Sequence, residues 1–181
     1  MGEPGMNEFK RDDAWQKDVR EKLLKPFYEK VACEGRYVFV DQGPLAEILQ
    51  KEFHIDTIIQ RDQGRAVTFD EKIVRWPGYE YTAFTLETMS CTVEGRESPG
   101  WMHMAQCDYI LYCFLQADGS AVAYSIPFKE LNNWFFENDR YMNYSITRSE
   151  QLNKTECRVV PVSDVLKAIP SVKRHKLESH K

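Results

Sequence analysis

The stretch Asp56-Thr57-Ile58-Ile59, followed by Val67-Thr68-Phe69-Asp70-Glu71-Lys72-Ile73, decides the fold of this chain. Both halves are rich in β-branched and aromatic residues, and Asp62-Gln63-Gly64 between them is a turn signal. They predict two antiparallel strands, Ile55 to Gln60 and Ala66 to Arg75. Side chains alternate along a strand, so Thr68, Asp70 and Lys72 point one way while Val67, Phe69, Glu71 and Ile73 point the other. A carboxylate on one strand, Asp56, then meets a carboxylate and an ammonium on the next. Two hard oxygen donors beside a fixed positive charge are a donor set for a divalent cation and a phosphate.

Working outward, Trp15, Val19 and Leu23 recur at helical spacing after Asp12-Asp13 and predict a helix over 13–25 that Pro26 kinks or ends. Tyr37 to Val40 is a short β-like run, and Gly43-Pro44 opens a helix from Pro44 to Phe53. Past the hairpin, Pro77-Gly78 turns the chain into Tyr81 to Met89, predicted as the third strand of an antiparallel meander. Tyr109 to Leu115 is nearly all apolar, which predicts a central strand buried on both faces. The turn Ala117-Asp118-Gly119-Ser120 leads to a strand over Ala121 to Ile126, and a helix over Lys129 to Asn138 follows. Cys157 to Val162 and Ser163 to Ile169 read as a strand and a helix, with Ser163 as N-cap. The order is that of an α+β domain with a mixed sheet.

A length of 181 residues supports one core, taken as a single domain over 1–170. Met1 to Glu8 look frayed, and 171–181 are expected to form a basic, disordered tail. The formal net charge of −4 gives no overall positive field and counts mildly against a nucleic-acid partner. Cys33, Cys91, Cys107, Cys113 and Cys157 show no CxxC pair or zinc-finger spacing, so structural zinc is not expected. Without a membrane-length apolar run, the expectation is a cytoplasmic protein with no membrane partner. GxxxxGK[ST] and GxGxxG are absent, which argues against NTP hydrolysis and dinucleotide redox chemistry.

An acidic residue ending one strand of a meander, followed after a hairpin by Asp70-Glu71-Lys72 in the next, resembles the PD-(D/E)XK nuclease superfamily, the restriction-endonuclease-like fold. The resemblance covers roughly residues 44–135. Asp56 stands at the family's first aspartate, Asp70-Glu71-Lys72 reads as its (D/E)XK element, and Glu47 corresponds to an acidic residue that many members add from the preceding helix. Phe84-Thr85-Leu86-Glu87, Pro99-Gly100-Trp101, Cys107-Asp108-Tyr109-Ile110 and Ile126-Pro127-Phe128 with Leu131 and Trp134 look like an uncharacterised phage and bacterial branch. Ile55 replaces the name-giving proline, the middle of the triplet is charged, and no Gln-x-x-x-Tyr element follows.

The resemblance implies a restriction-endonuclease-like core, a mixed central sheet flanked by helices, that hydrolyses phosphodiesters in nucleic acid, DNA above all, with Mg²⁺ or Mn²⁺. The alternative is a non-catalytic nucleic-acid-binding, partner-binding or inhibitory module of phage or mobile-element origin on the same scaffold. In the catalytic version Asp56 and Asp70 hold the ion, while Lys72 orients water or stabilises charge on the phosphate. Glu87 interrupts the apolar side of its strand, where an unpartnered carboxylate is costly, so it is either a further ligand or a partner of Lys72. Glu47 is the outermost metal candidate, and Glu71 is the substitute should it, rather than Asp70, face the ion. The plainer alternative is an exposed Asp70–Lys72 pair worth a few tenths of a kcal/mol. His54, His103, Asp108 and Trp101 are assigned structural places, and a homodimer is conceivable because a duplex has two strands to cut.

Overall fold

The computed structural model describes residues 14–32, 35–41, 43, 45–60, 64–78, 80–149 and 154–178. The expected fraying of Met1 to Glu8 lies outside them. The main sheet has six strands in the order β1 (Arg36–Phe39), β2 (Thr57–Gln60), β3 (Val67–Val74), β6 (Tyr109–Leu115), β7 (Ala121–Pro127) and β10 (Lys173–Leu177). All neighbours are antiparallel except β3 and β6, which are parallel with Asp70 beside Ile110 and Lys72 beside Tyr112. The fold is therefore α+β with a mixed sheet, as the order of elements predicts.

β6 holds the interior position its composition demands. Ile110, Tyr112 and Phe114 enter the core on one side of the sheet, and Leu111 and Cys113 enter the core on the other. Burying each of the large side chains contributes roughly 1.5–3 kcal/mol. One face is covered by a long helix, α1, over 14–32. The other face is covered by a second sheet of four strands, β5 (Ser98–Pro99), β4 (Ala83–Cys91), β9 (Glu156–Pro161) and β8 (Ser145–Arg148). Phe84 of β4 makes the junction, with its ring centroid 4.9 Å from that of Tyr112 and 5.4 Å from that of Tyr124, both edge-on. Short helices α2 (Ala46–Lys51), α3 (Trp101–Met104), α4 (Phe128–Phe136) and α5 (Val162–Ala168) complete the described elements, with a 3₁₀ segment over Glu137–Asn143.

Several expectations need correction. α1 does not end at Pro26. A π-helical stretch, Arg20–Leu24, immediately precedes Lys25–Ala32, and the Lys25 N–H bonds back to the Arg20 carbonyl. The wider turn admits a residue with no N–H and a bulky ring, and the helix continues. β4 is not the third strand of a meander. β2 and β6 occupy both edges of β3, so β4 leaves the main sheet after the Pro77-Gly78 turn and pairs with β9 and β5. The helix expected from Pro44 shortens to Ala46–Lys51, and Ser163 is not an N-cap: Pro161 stands there, and the Ser163 hydroxyl bonds Asp164 instead.

The expected disordered tail is a strand over Lys173–Leu177, in register with β7 from Lys173 opposite Ser125 to Leu177 opposite Ala121. Only Leu177 in that run is apolar, so backbone pairing rather than side-chain periodicity holds it. A charge-rich outer strand of this kind also discourages further pairing.

Candidate functional site

Asp56 lies one residue before β2 and is fixed from both sides. Its N–H donates to the Phe69 carbonyl at 2.8 Å, and its Oδ2 accepts from the Glu71 N–H at 2.8 Å. The carboxylate is thus anchored across the strand pair to the middle of the Asp70-Glu71-Lys72 triplet. Asp70 and Lys72 share the opposite direction from Glu71, as alternation requires. Lys72 Nζ is 2.8 Å from Asp70 Oδ2 and 5.0 Å from the ring centroid of Trp101.

This is not an exposed charge pair. The Asp70 side chain is 2 % exposed and that of Lys72 23 %. The ammonium is the ion-pair partner of Asp70 Oδ2, and this buried oxygen has no further hydrogen-bond partner among the described residues. Burial pushes the Asp70 carboxyl up to about 7; Lys72 pulls it down and the neighbouring Asp56 carboxylate pushes it up again. Burial alone would lower Lys72, but Asp70, Asp56 and Glu87 together hold its ammonium above the ordinary value. Lys72 is therefore the cationic centre of an acidic group.

Glu87 reaches this group from the second sheet. Its Oε1 accepts from Ser90 Oγ at 2.6 Å and from the Trp101 N–H at 3.3 Å, and its charge acts on Lys72 and His54. Glu87 does not interrupt the apolar side of β4 as expected, because Phe84, Leu86 and Thr88 are buried and Glu87 alternates with them; half-buried, it is hydrogen-bonded and within electrostatic reach of Lys72. Gly100 makes the approach possible: a Cβ there would sit 2.5 Å from the Glu87 carbonyl oxygen and 2.7 Å from its Cγ. Gly100→Ala is expected to separate β4 from β5 and destabilise the fold by about 1–3 kcal/mol, the usual range for overpacking. Chemical denaturation of the two proteins checks this, and equal midpoints would contradict it.

Glu71 faces α1, where donors saturate it. Arg20 Nε donates to its Oε2 at 2.8 Å, while Tyr28 OH and Thr57 Oγ1 donate to its Oε1 at 2.9 and 2.6 Å. Burial pushes this carboxyl up and Arg20 opposes the shift. The alternative in which Glu71 replaces Asp70 as ligand therefore loses its geometric basis. Arg20 also places Nη2 3.2 Å from Asp56 Oδ1, so α1 braces two acids at once. Sequence reasoning missed Arg20, Tyr28 and Thr57. The available signal was Glu71 itself, an acid alternating with Val67, Phe69 and Ile73 and so in need of a buried cation.

Glu47 stands apart from this group: its side chain is 73 % exposed and paired with Lys51 one turn along α2 at 2.6 Å. Asp108 ties β6 to β3, accepting from the Thr68 N–H and hydroxyl and from Arg65. His103 packs on Phe136 at 4.6 Å, and Trp101 is buried in the core. His54 adopts a left-handed φ of 51°, and burial, then Lys72, holds its imidazole below the ordinary value.

No group of three or more His, Cys, Asp and Glu converges on a metal position among the described residues. The compact pair is Asp56 with Asp70. Cys91, Cys107, Cys113 and Cys157 are free thiols, and burial pushes Cys107 and Cys113 up. Among the described residues no helix is long and apolar enough to cross a membrane. Compared with known proteins, the chain matches no protein-family model, no curated sequence and no solved structure.

Proposed function

We propose that this chain is a Mg²⁺- or Mn²⁺-dependent nuclease that hydrolyses phosphodiester bonds in nucleic acid, DNA in particular, through a PD-(D/E)XK-type site of Asp56, Asp70 and Lys72 with Glu87 assisting. The observation that carries this reading is the Asp70 carboxylate, buried beside a second acid, Asp56, with its Oδ2 held by the Lys72 ammonium alone. A core acid so poorly compensated is costly to keep, and perturbed titrating groups in such clusters accompany function.

Asp56 and Asp70 would hold the ion, in competition with the Arg20 and Lys72 cations they now pair with. Mg²⁺ keeps several waters and needs only one or two carboxylates besides a substrate phosphate, so Asp56 and Asp70 suffice without a third protein ligand. When bound, the ion supplies acidity to a coordinated water and charge for a phosphoryl oxygen. The chain's own groups supply the rest. The Glu71 N–H holds Asp56 in place, and Glu87 with Asp70 keeps Lys72 protonated. The Trp101 ring, its centroid 5.0 Å from Nζ, adds a cation–π contact to the ammonium that would face a phosphate. Glu47 joins only if its pair with Lys51 breaks.

The second reading, a binding or inhibitory module without catalysis, is favoured by the cations already present: Lys72 stands 2.8 Å from Asp70, and Arg20 stands 3.2 Å from Asp56. Thermal melting with and without Mn²⁺, for the wild type and Asp70→Ala, tests for the ion. The expected result is a rise in melting temperature for the wild type alone, accompanied by cleavage of linear or branched DNA that Lys72→Met abolishes. DNA binding with neither the rise nor cleavage would select the second reading.

A further inference from the structure

A groove of about 1060 Å³ between α1 and β10 lies on the α1 side of the main sheet, away from Asp70. Leu23, Pro26 and Phe27 of α1 form its wall. Its floor includes Phe69 and Tyr109, whose rings stack with centroids 5.4 Å apart. At one end Ser125 Oγ and His175 Nε2 are 2.8 Å apart, with the His175 ring edge-on to Phe27 at 5.0 Å. Lys173 shares the His175 side of β10, by alternation, and Lys30 faces it from α1. Burial, then Lys173 and Lys30, holds His175 below its ordinary value, and both lysines line the same groove as the Ser125–His175 pair. Two acids share the lining with their partners, Glu130 accepting from the Ser171 hydroxyl at 2.6 Å and Glu178 paired with Lys176 at 3.1 Å.

We propose that this groove binds a small amphipathic anion, with a carboxylate or phosphate head against Lys173, Lys30 and the Ser125 hydroxyl and an aromatic or aliphatic body on Phe27 and Tyr109. The lining carries more cations than acids, Lys30, Lys173, Arg174 and Lys176 against Glu130 and Glu178, and this excess sets the charge of the head. The Ser125–His175 pair adds a hydroxyl donor and an imidazole that can present either tautomer. An apolar floor with a few convergent polar groups at one end is the usual make-up of a small-molecule site, and the volume is near the upper end of the range, about 300–1,000 Å³.

The test uses the full chain and a fluorescent aromatic sulfonate, anilinonaphthalene sulfonate, as the probe. It is expected to bind, and to be displaced by naphthyl phosphate or naphthoate but not by naphthylmethanol or by inorganic phosphate alone. The better competitor identifies the head group. Lys173→Glu is expected to weaken the dye about tenfold, whereas Lys167→Glu on α5, an identical change in net charge outside the groove, leaves its affinity unchanged. If Lys173→Glu lowers the melting temperature, Lys173→Gln replaces it, with a smaller loss of the same sign. Equal competition by naphthylmethanol, or equal effects of the Lys173 and Lys167 substitutions, overturns the proposal.

Discussion

Replacing Arg20 with methionine is expected to destabilise the protein by about 3–5 kcal/mol, because removing one partner of a buried ion pair strands the other charge in the core. The Glu71 side chain is 1 % exposed and that of Arg20 14 %, so water cannot take over the role of the guanidinium. Tyr28 and Thr57 still donate to Glu71 Oε1, but hydrogen bonds from neutral groups do not compensate a full charge at that depth. Methionine keeps the length and apolar stem of the side chain, so lost packing contributes little. In a chain of this size the melting temperature should fall by on the order of 10 °C.

The double variant Arg20→Met with Glu71→Leu should recover much of that loss, since buried ion pairs are often replaceable by apolar side chains at little net cost. Equilibrium urea unfolding of the four proteins in the cycle measures both quantities. A single variant within 1 kcal/mol of wild type, by the same principle, would mean that Glu71 is neutralised by some group other than Arg20. The geometry also makes the cycle informative about the site, because Arg20 Nη2 contacts Asp56 as well as Glu71. α1 is therefore a brace for the acids on β2 and β3 as well as a cover for the sheet.

That brace marks the limit of what local pattern can reveal. The hairpin of β2 and β3, the central place of β6, and the sharing of one direction by Asp70 and Lys72 follow from strand alternation and from runs of apolar residues, which act over a few residues. The helix over 13–25 was legible from Trp15, Val19 and Leu23, but its extension to residue 32 was not, because Pro26 ordinarily stops a helix and a π-turn leaves no mark in hydropathy. Arg20 flanks the apolar stripe of that helix. Its partner is fifty-one residues away, and no periodicity encodes a contact of that span.

The same reasoning explains the misplaced strand. Tyr81 to Met89 has the composition of a strand, and proximity in sequence favours pairing with β3. The parallel partner β6 competes for that edge and wins, with Ile110, Tyr112 and Phe114 gaining burial on the side that β4 then covers. Glu87 was singled out as an acid on the apolar side of its strand, but it alternates with the buried Phe84 and Leu86 and does not interrupt them. Its proximity to Lys72 arises from packing between sheets. Lys173–Leu177 went unread because a strand held by its backbone at the end of a sheet needs few apolar side chains.

Asp70→Asn is expected to make the protein more stable than wild type above neutral pH while abolishing cation binding at the proposed site. Burial pushes the folded-state carboxyl up to about 7 from an ordinary value of 3.8. A raised acid binds its proton more tightly in the folded state than in the unfolded one. Its contribution to stability is complete below the unfolded value and is lost progressively as pH rises through the folded value. Wild-type stability attributable to Asp70 therefore falls between about pH 4 and pH 7. Asparagine mimics the neutral form at every pH and shows no such fall.

Urea unfolding of both proteins at about pH 3.5 and about pH 8 should give near-equal stabilities at the lower value and a clear advantage for Asn at the higher. Equal stabilities at both values would mean that Lys72, 2.8 Å away, already neutralises the carboxylate, and the argument from a costly buried acid would fail with it. A stabilised but inactive Asp70→Asn is the outcome that the nuclease reading requires, because a group kept against the stability of its own fold is kept for what it does in the site.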